Sequence, residues 1–137
     1  MASEVFVCQV CSHLLSSPVE RAAVLPARRY RDADEISYLP TMANGTWAVD
    51  TQPRTSFADN TSKGSIGCLV LHPDDGIGLE LHPEAFRNSG CCGHDGLDGV
   101  NRRCSHCHAD VATLVDDCWT VVELRFEPSA VRVTPAQ

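Results

Sequence analysis

Apolar and polar residues alternate with a period of two over residues 119–126, WTVVELRF, where Val122, Leu124 and Phe126 share one face and Glu123 and Arg125 the other. Side chains of a strand point alternately to its two sides, so this pattern predicts a strand with one apolar face. Val131 and Val133 continue the pattern. Shorter apolar runs predict strands at 47–49 and 111–115. Residues 66–82 hold two β-prone runs, IGCLVLH and IGLELH, separated by Pro73-Asp74-Asp75-Gly76. That separator has turn chemistry, and the segment reads as a β-hairpin. The stretch from Leu69 to Asp74 is echoed by Leu79 to Glu84, and each copy ends in a His-Pro step. Proline cannot donate to a strand ladder, so each His-Pro step marks a strand end.

Nowhere does a long 3.6-residue period appear. Residues 21–45 read as mostly loop, with one helical turn at 32–36. Residues 51–65, TQPRTSFADNTSKGS, are polar and predict a flexible surface loop. The expected fold is mainly β, with a small α+β arrangement as the alternative, in one domain over residues 1–137. A chain of 137 residues with 43% hydrophobic and 21% charged residues fits one globular domain with its own core.

Formal net charge is -7, which gives no bulk attraction for phosphate backbones. The basic stretch of Arg21, Arg28, Arg29 and Arg31 is followed at once by Asp32, Asp34 and Glu35 and reads as a solvated loop. The first residues, Met-Ala-Ser-Glu-Val-Phe-Val-Cys, lack the basic and apolar regions of a secretory signal. No stretch approaches the roughly 18 apolar residues of a membrane span. The expected compartment is the cytoplasm, where thiols stay reduced. There, eight cysteines are metal ligands before they are disulfides.

Two Cys-x2-Cys knuckles carry the strongest signal, Cys8-Gln9-Val10-Cys11 and Cys104-Ser105-His106-Cys107. That spacing lets both thiolates of a tight turn reach one tetrahedral ion. Cys8, Cys11, Cys104 and Cys107 are therefore the expected ligands of one zinc ion. Each knuckle leads through a short turn into an apolar run, and in this the two segments resemble the halves of a zinc ribbon. The resemblance implies short antiparallel strands closed by a structural four-cysteine zinc site. A competing local site would combine Cys91 or Cys92 with Cys104 and Cys107, with His94, His108 or Cys118 as fourth ligand. Cys8 and Cys11 would then need other partners, such as His13, and two separate ions are also conceivable. Cys68, inside a strand pattern, reads as a buried apolar residue. The loop GCCGHDGLDGVN carries Asp95, Asp98 and Asn101, oxygen donors that do not match an EF-hand. Its GCCG-x-DG-x-DG-x-N-R-x-C pattern resembles a group of uncharacterised bacterial proteins, which implies no activity.

One arrangement admits catalysis. His82-Pro83-Glu84 and the later Cys104-x2-Cys107 resemble the His-x-Glu…Cys-x-x-Cys pattern of zinc-dependent nucleobase deaminases. That resemblance implies His82, Cys104 and Cys107 as ligands and Glu84 as proton shuttle. Arg103 stands where that family has proline. The expected function is a non-catalytic zinc-binding module acting through a protein partner, with the deaminase-like hydrolase as the alternative. Neither a membrane nor a nucleic acid is expected as partner.

Overall fold

The computed structural model describes residues 2–27, 40–51 and 67–137. The chain is mainly β, as its alternation predicts, with nine strands among the described residues. They are β1 (Glu4–Cys8), β2 (Glu20–Arg21), β3 (Thr46–Val49), β4 (Leu69–Leu71), β5 (Leu79–Leu81), β6 (Arg102–Cys104), β7 (Asp110–Val115), β8 (Glu123–Phe126) and β9 (Val131–Pro135). Seven form one sheet in the order β2-β3-β4-β8-β7-β6-β5, and β1 and β9 form a separate antiparallel ribbon. The expected turn at 32–36 lies outside the described residues, as does the expected loop at 51–65 except for Thr51.

The ribbon is fastened to the sheet through Phe6. Its ring is fully buried and meets Trp47 of β3 edge-on at 5.2 Å and Phe126 of β8 at 5.3 Å. Burying one such ring contributes roughly 2–3 kcal/mol, and edge-to-face contacts add to it. Leu15, Val19, Leu71, Val111, Leu124 and Val131 complete this core, and Cys8 and Cys104 belong to it. After the first knuckle the chain returns beside β1. It touches β1 at the bridges Val7↔Leu14 and Glu4↔Val19 without forming a continuous strand.

The hairpin expected at 66–82 does not form. Both of its runs are strands, but β8, β7 and β6 lie between β4 and β5 in the sheet. The linker crosses the sheet instead of folding back. His72 Nδ1 accepts the Asp74 amide at 3.0 Å and starts a 3-10 turn at Pro73–Asp75. The linker then runs beneath the returning N-terminal segment, where the Ser17 amide donates to the Asp75 carbonyl and the Ile77 amide to that of Leu15. Two glycines make the crossing feasible. A Cβ on Gly76 would collide with the Leu124 side chain. One on Gly78, which has φ 64°, would collide with the Leu14 carbonyl. Such close approach, with a left-handed backbone at Gly78, suits glycine.

One further expectation needs correction. Val131 and Val133 do not continue the β8 pattern, because β9 leaves the sheet and pairs with β1. The face of β8 carrying Glu123 and Arg125 is also covered, so all four residues of β8 are buried. Arg125 donates to Glu123 at 2.8 Å and to Asp50 at 2.8 Å, and Thr41 donates to Glu123 at 2.6 Å. Burial alone would pull the Arg125 guanidinium down, but Glu123, Cys68 and Asp50 outweigh it and hold it above its ordinary value. A buried charge is tolerated only when paired, and removing one partner strands the rest. Replacing Arg125 by Ala is therefore expected to cost about 3–5 kcal/mol of unfolding free energy. Urea denaturation checks this, and a loss below about 1 kcal/mol would contradict it.

Candidate metal centre

The two knuckles lie far apart in the chain and share one hydrogen-bond pattern. In the first, the Ser12 amide donates to the Cys8 carbonyl at 2.8 Å and the Cys8 amide to the His13 carbonyl at 2.9 Å. In the second, the His108 amide donates to the Cys104 carbonyl at 2.9 Å and the Cys104 amide to the Ala109 carbonyl at 2.8 Å. The residue after the second cysteine has left-handed backbone in both, Ser12 at φ 63° and His108 at φ 65°. Each knuckle starts on the last residue of a strand, Cys8 of β1 and Cys104 of β6.

The fold brings together the four expected cysteines. The sulfurs of Cys8, Cys11, Cys104 and Cys107 all lie within 4.8 Å of one another. The Cys8–Cys107 and Cys11–Cys104 pairs are 3.6 Å apart. A disulfide needs about 2.05 Å. A tetrahedral ion with metal–sulfur bonds of about 2.3 Å sets its ligand sulfurs about 3.8 Å apart. The four thiols are thus arranged to hold a metal ion. Cys8 and Cys104 are buried, and Cys11 and Cys107 are half-buried.

Crowding sets the protonation of these thiols. Burial pushes Cys8 up, but the Cys11 and Val10 amides and the Cys107 and Cys11 side chains pull it below its ordinary value. Burial, reinforced by Cys104, Cys107 and Cys8, pushes Cys11 to about 12 despite the His13 amide. At Cys107 the Ala109 amide is the largest influence and lowers the thiol, yet burial together with Cys8 and Cys104 raises it overall. Four like charges do not ionise together in so small a volume without a cation between them.

Surrounding contacts lock the two knuckles. The His13 and His106 rings stack at 5.5 Å, and Ser105 Oγ lies 3.3 Å from His13 Nε2. Arg132 of β9 reaches Ser12 Oγ at 2.7 Å, and the Gln9 amide donates to Ala130. On the other side Glu80 of β5 holds His108 at 2.9 Å and pairs with Arg103.

His82 and Glu84 stand outside this group. The His82 ring accepts the Glu84 amide on Nδ1 at 3.1 Å, and its Nε2 lies 3.3 Å from Asp110. It repeats the role of His72, so the Leu-x-Leu-His-Pro echo is a repeated histidine-capped turn. The competing local site is not assembled either. Cys91 and Cys92 meet Cys118, with all three sulfurs within 4.8 Å, and neither joins Cys104 or Cys107. Sequence spacing offered no signal for that grouping, because Cys118 reaches it only through Asp117. Two of the oxygen donors of the glycine loop serve local structure: Asp95 accepts the Leu97 amide, and buried Asn101 bridges to Leu114 of β7 through both its side-chain atoms. Cys68 is buried, as its strand position predicts, and its thiol lies 3.3 Å from Glu127.

No protein-family model, curated protein or solved structure matches this chain. Among the described residues, no helix is long and apolar enough to cross a membrane.

These positions predict that His82→Ala leaves the metal content of the purified protein unchanged. It should lower stability by about 1–2 kcal/mol, because the hydrogen bonds of the buried imidazole are lost. Elemental analysis with thermal unfolding checks both halves. Loss of metal on this substitution would return His82 to the ligand set.

Proposed function

We propose that the chain is a zinc-binding protein whose four-cysteine centre is structural, and that it serves as a non-catalytic binding or regulatory module. The observation that carries this reading is the closure of the site. Two knuckles of matching geometry, far apart in the chain, point four sulfurs at one volume set into the edge of the main core. A structural zinc site is closed by four protein ligands, whereas a catalytic one keeps a position for water. An all-sulfur set favours soft or borderline ions, of which zinc suits tetrahedral thiolate best. The paired knuckles support a zinc-ribbon-like closure of a larger β-fold. Eight free thiols fit a reducing compartment such as the cytoplasm.

The partner class we propose is protein. A charge of -7 disfavours nucleic acid. Val10, at the tip of the first knuckle, is 74% exposed, and Leu14 and Ile77 are partly exposed on adjoining segments. Apolar side chains on a rigid knuckle give a partner fixed contacts.

If the four cysteines share one ion, Cys8→Ser and Cys104→Ser should lose metal to a similar extent. They should also destabilise the protein similarly, because each opens the same shell. Replacement by cobalt should give the absorption spectrum of a tetrahedral tetrathiolate in the parent protein and in neither variant. Full metal retention in Cys8→Ser alongside loss in Cys104→Ser would overturn the shared site.

A further inference from the structure

The glycine-rich loop carries two cysteines, Cys91 and Cys92, that the four-cysteine centre does not use, and Cys118, beyond β7, is a third. The fold spends a buried carboxylate to hold them together. Asp117 is fully buried, and its two oxygens accept the amides of Cys91 at 2.8 Å, Cys92 at 2.8 Å, Gly93 at 3.2 Å and Cys118 at 2.8 Å, and the Trp119 indole at 2.9 Å. Five donors on one carboxylate fix the backbone on both sides of the cluster. The flanking glycines let the loop press onto this anchor. A Cβ on Gly90 would collide with the Gly93 carbonyl and come within 2.8 Å of Asp117, and one on Gly93 would come within 2.6 Å of Asp116. Next in the chain, His94 is pinned by Asp116 on Nδ1 at 2.9 Å, and its Nε2 lies 3.2 Å from Arg102.

Packing accounts for the glycines and for Asp117. It does not account for the cysteines. Cys91 and Cys92 are exposed and Cys118 is half-buried, so their side chains add little to a core. Their sulfurs nevertheless converge within 4.8 Å, with Cys91 and Cys92 3.8 Å apart. Asp117 is engaged by five donors and both ring nitrogens of His94 have partners, and the atoms that converge are the three sulfurs. Hard cations such as magnesium and calcium require oxygen. Thiolates select soft ions such as Cu(I), and zinc.

We infer that Cys91, Cys92 and Cys118 form a second metal site, open to solvent, which takes one thiophilic d10 cation, Cu(I) or Zn(II), and leaves a coordination position for an external ligand. On loading, each of the three thiols releases its proton and forms one metal–sulfur bond, with no change of oxidation state. Because the sulfurs sit at the surface and, among the described residues, only three ligands converge there, this ion exchanges with chelators more readily than one held by four cysteines. The site depends on residues separate from the four-cysteine centre and stands whether or not that centre is structural.

The test uses the full chain, purified under reducing conditions and dialysed against a weak chelator to leave only tightly held metal. Zn(II) and Cu(I) are then titrated separately against a competing chromophoric chelator. The expected result is one further equivalent of one or both ions in the parent protein, and none in Cys92→Ser or Cys118→Ser. Both variants should keep the tightly held metal and the parent melting temperature. Asp117→Asn should retain the extra equivalent with about 10–100-fold weaker affinity, the usual effect of losing a group that orients ligands. No further equivalent in the parent protein with its thiols counted as reduced would overturn the inference, and so would persistence of that equivalent in Cys118→Ser. If Zn(II) alone or Cu(I) alone binds, the inference holds and the ion is identified. Loss of the tightly held metal in Cys8→Ser with the exchangeable equivalent intact would separate failure of the closed centre from failure of this one.

Discussion

The arrangement depends on joining two parts of the chain that local structure leaves apart. β1 and β9 form a ribbon with no strand ladder to the seven-stranded sheet. What fixes the ribbon there is Phe6 between Trp47 and Phe126, and beside it the four thiols of Cys8, Cys11, Cys104 and Cys107. Closing so long a loop costs chain entropy, and a link between its ends returns stability by restricting the unfolded chain. A metal held by all four sulfurs supplies such a link and compensates their mutual repulsion. The crossing linker at 72–78 packs against the returning N-terminal segment and Leu124, with glycines at the close approaches at positions 76 and 78.

Buried charge is handled in the same way at two other places. Arg125 is held between Glu123 and Asp50 on the second face of the sheet. Asp117 is saturated by four amides and an indole. Burial raises the Asp117 carboxyl, yet the amides of Cys92, Cys91 and Cys118 and the Trp119 indole hold it at about 2, so it stays ionised at any physiological pH. The two cysteine clusters differ in this respect. The closed centre is organised by its own knuckles, while the open cluster is organised by a carboxylate that is not among its donors.

Much of the fold was legible in the chain. Alternation over 119–126 and the apolar runs at 47–49, 66–72, 77–82 and 111–115 mark strands because one face of each must leave water, although the strands formed inside 119–126, 66–72 and 77–82 are shorter, at 123–126, 69–71 and 79–81. The Cys-x2-Cys spacing marks the knuckles for an equally local reason: a tight turn fixes the separation of its two sulfurs. Both signals rest on residues a few positions apart, and the sulfurs of the two knuckles, Cys8, Cys11, Cys104 and Cys107, lie within 4.8 Å of one another.

Tertiary structure alone decided which strands are neighbours and which distant side chains meet. The runs around Pro73–Gly76 have turn chemistry at their junction, yet the His72 cap and the pairing of β4 with β3 and β8 carry the chain across the sheet. Alternation puts Glu123 and Arg125 together on one face of β8 but cannot say whether a second layer covers it. Cys118 gave no spacing signal, since its place beside Cys91 and Cys92 is set by the Asp117 carboxylate gathering amides from two remote segments. Several strands and both knuckles could be read from the chain because their physics is confined to one turn or one pleat, whereas β1, β2 and β6 left no such local mark. Strand order and the second cluster follow from long-range burial, which no local pattern encodes.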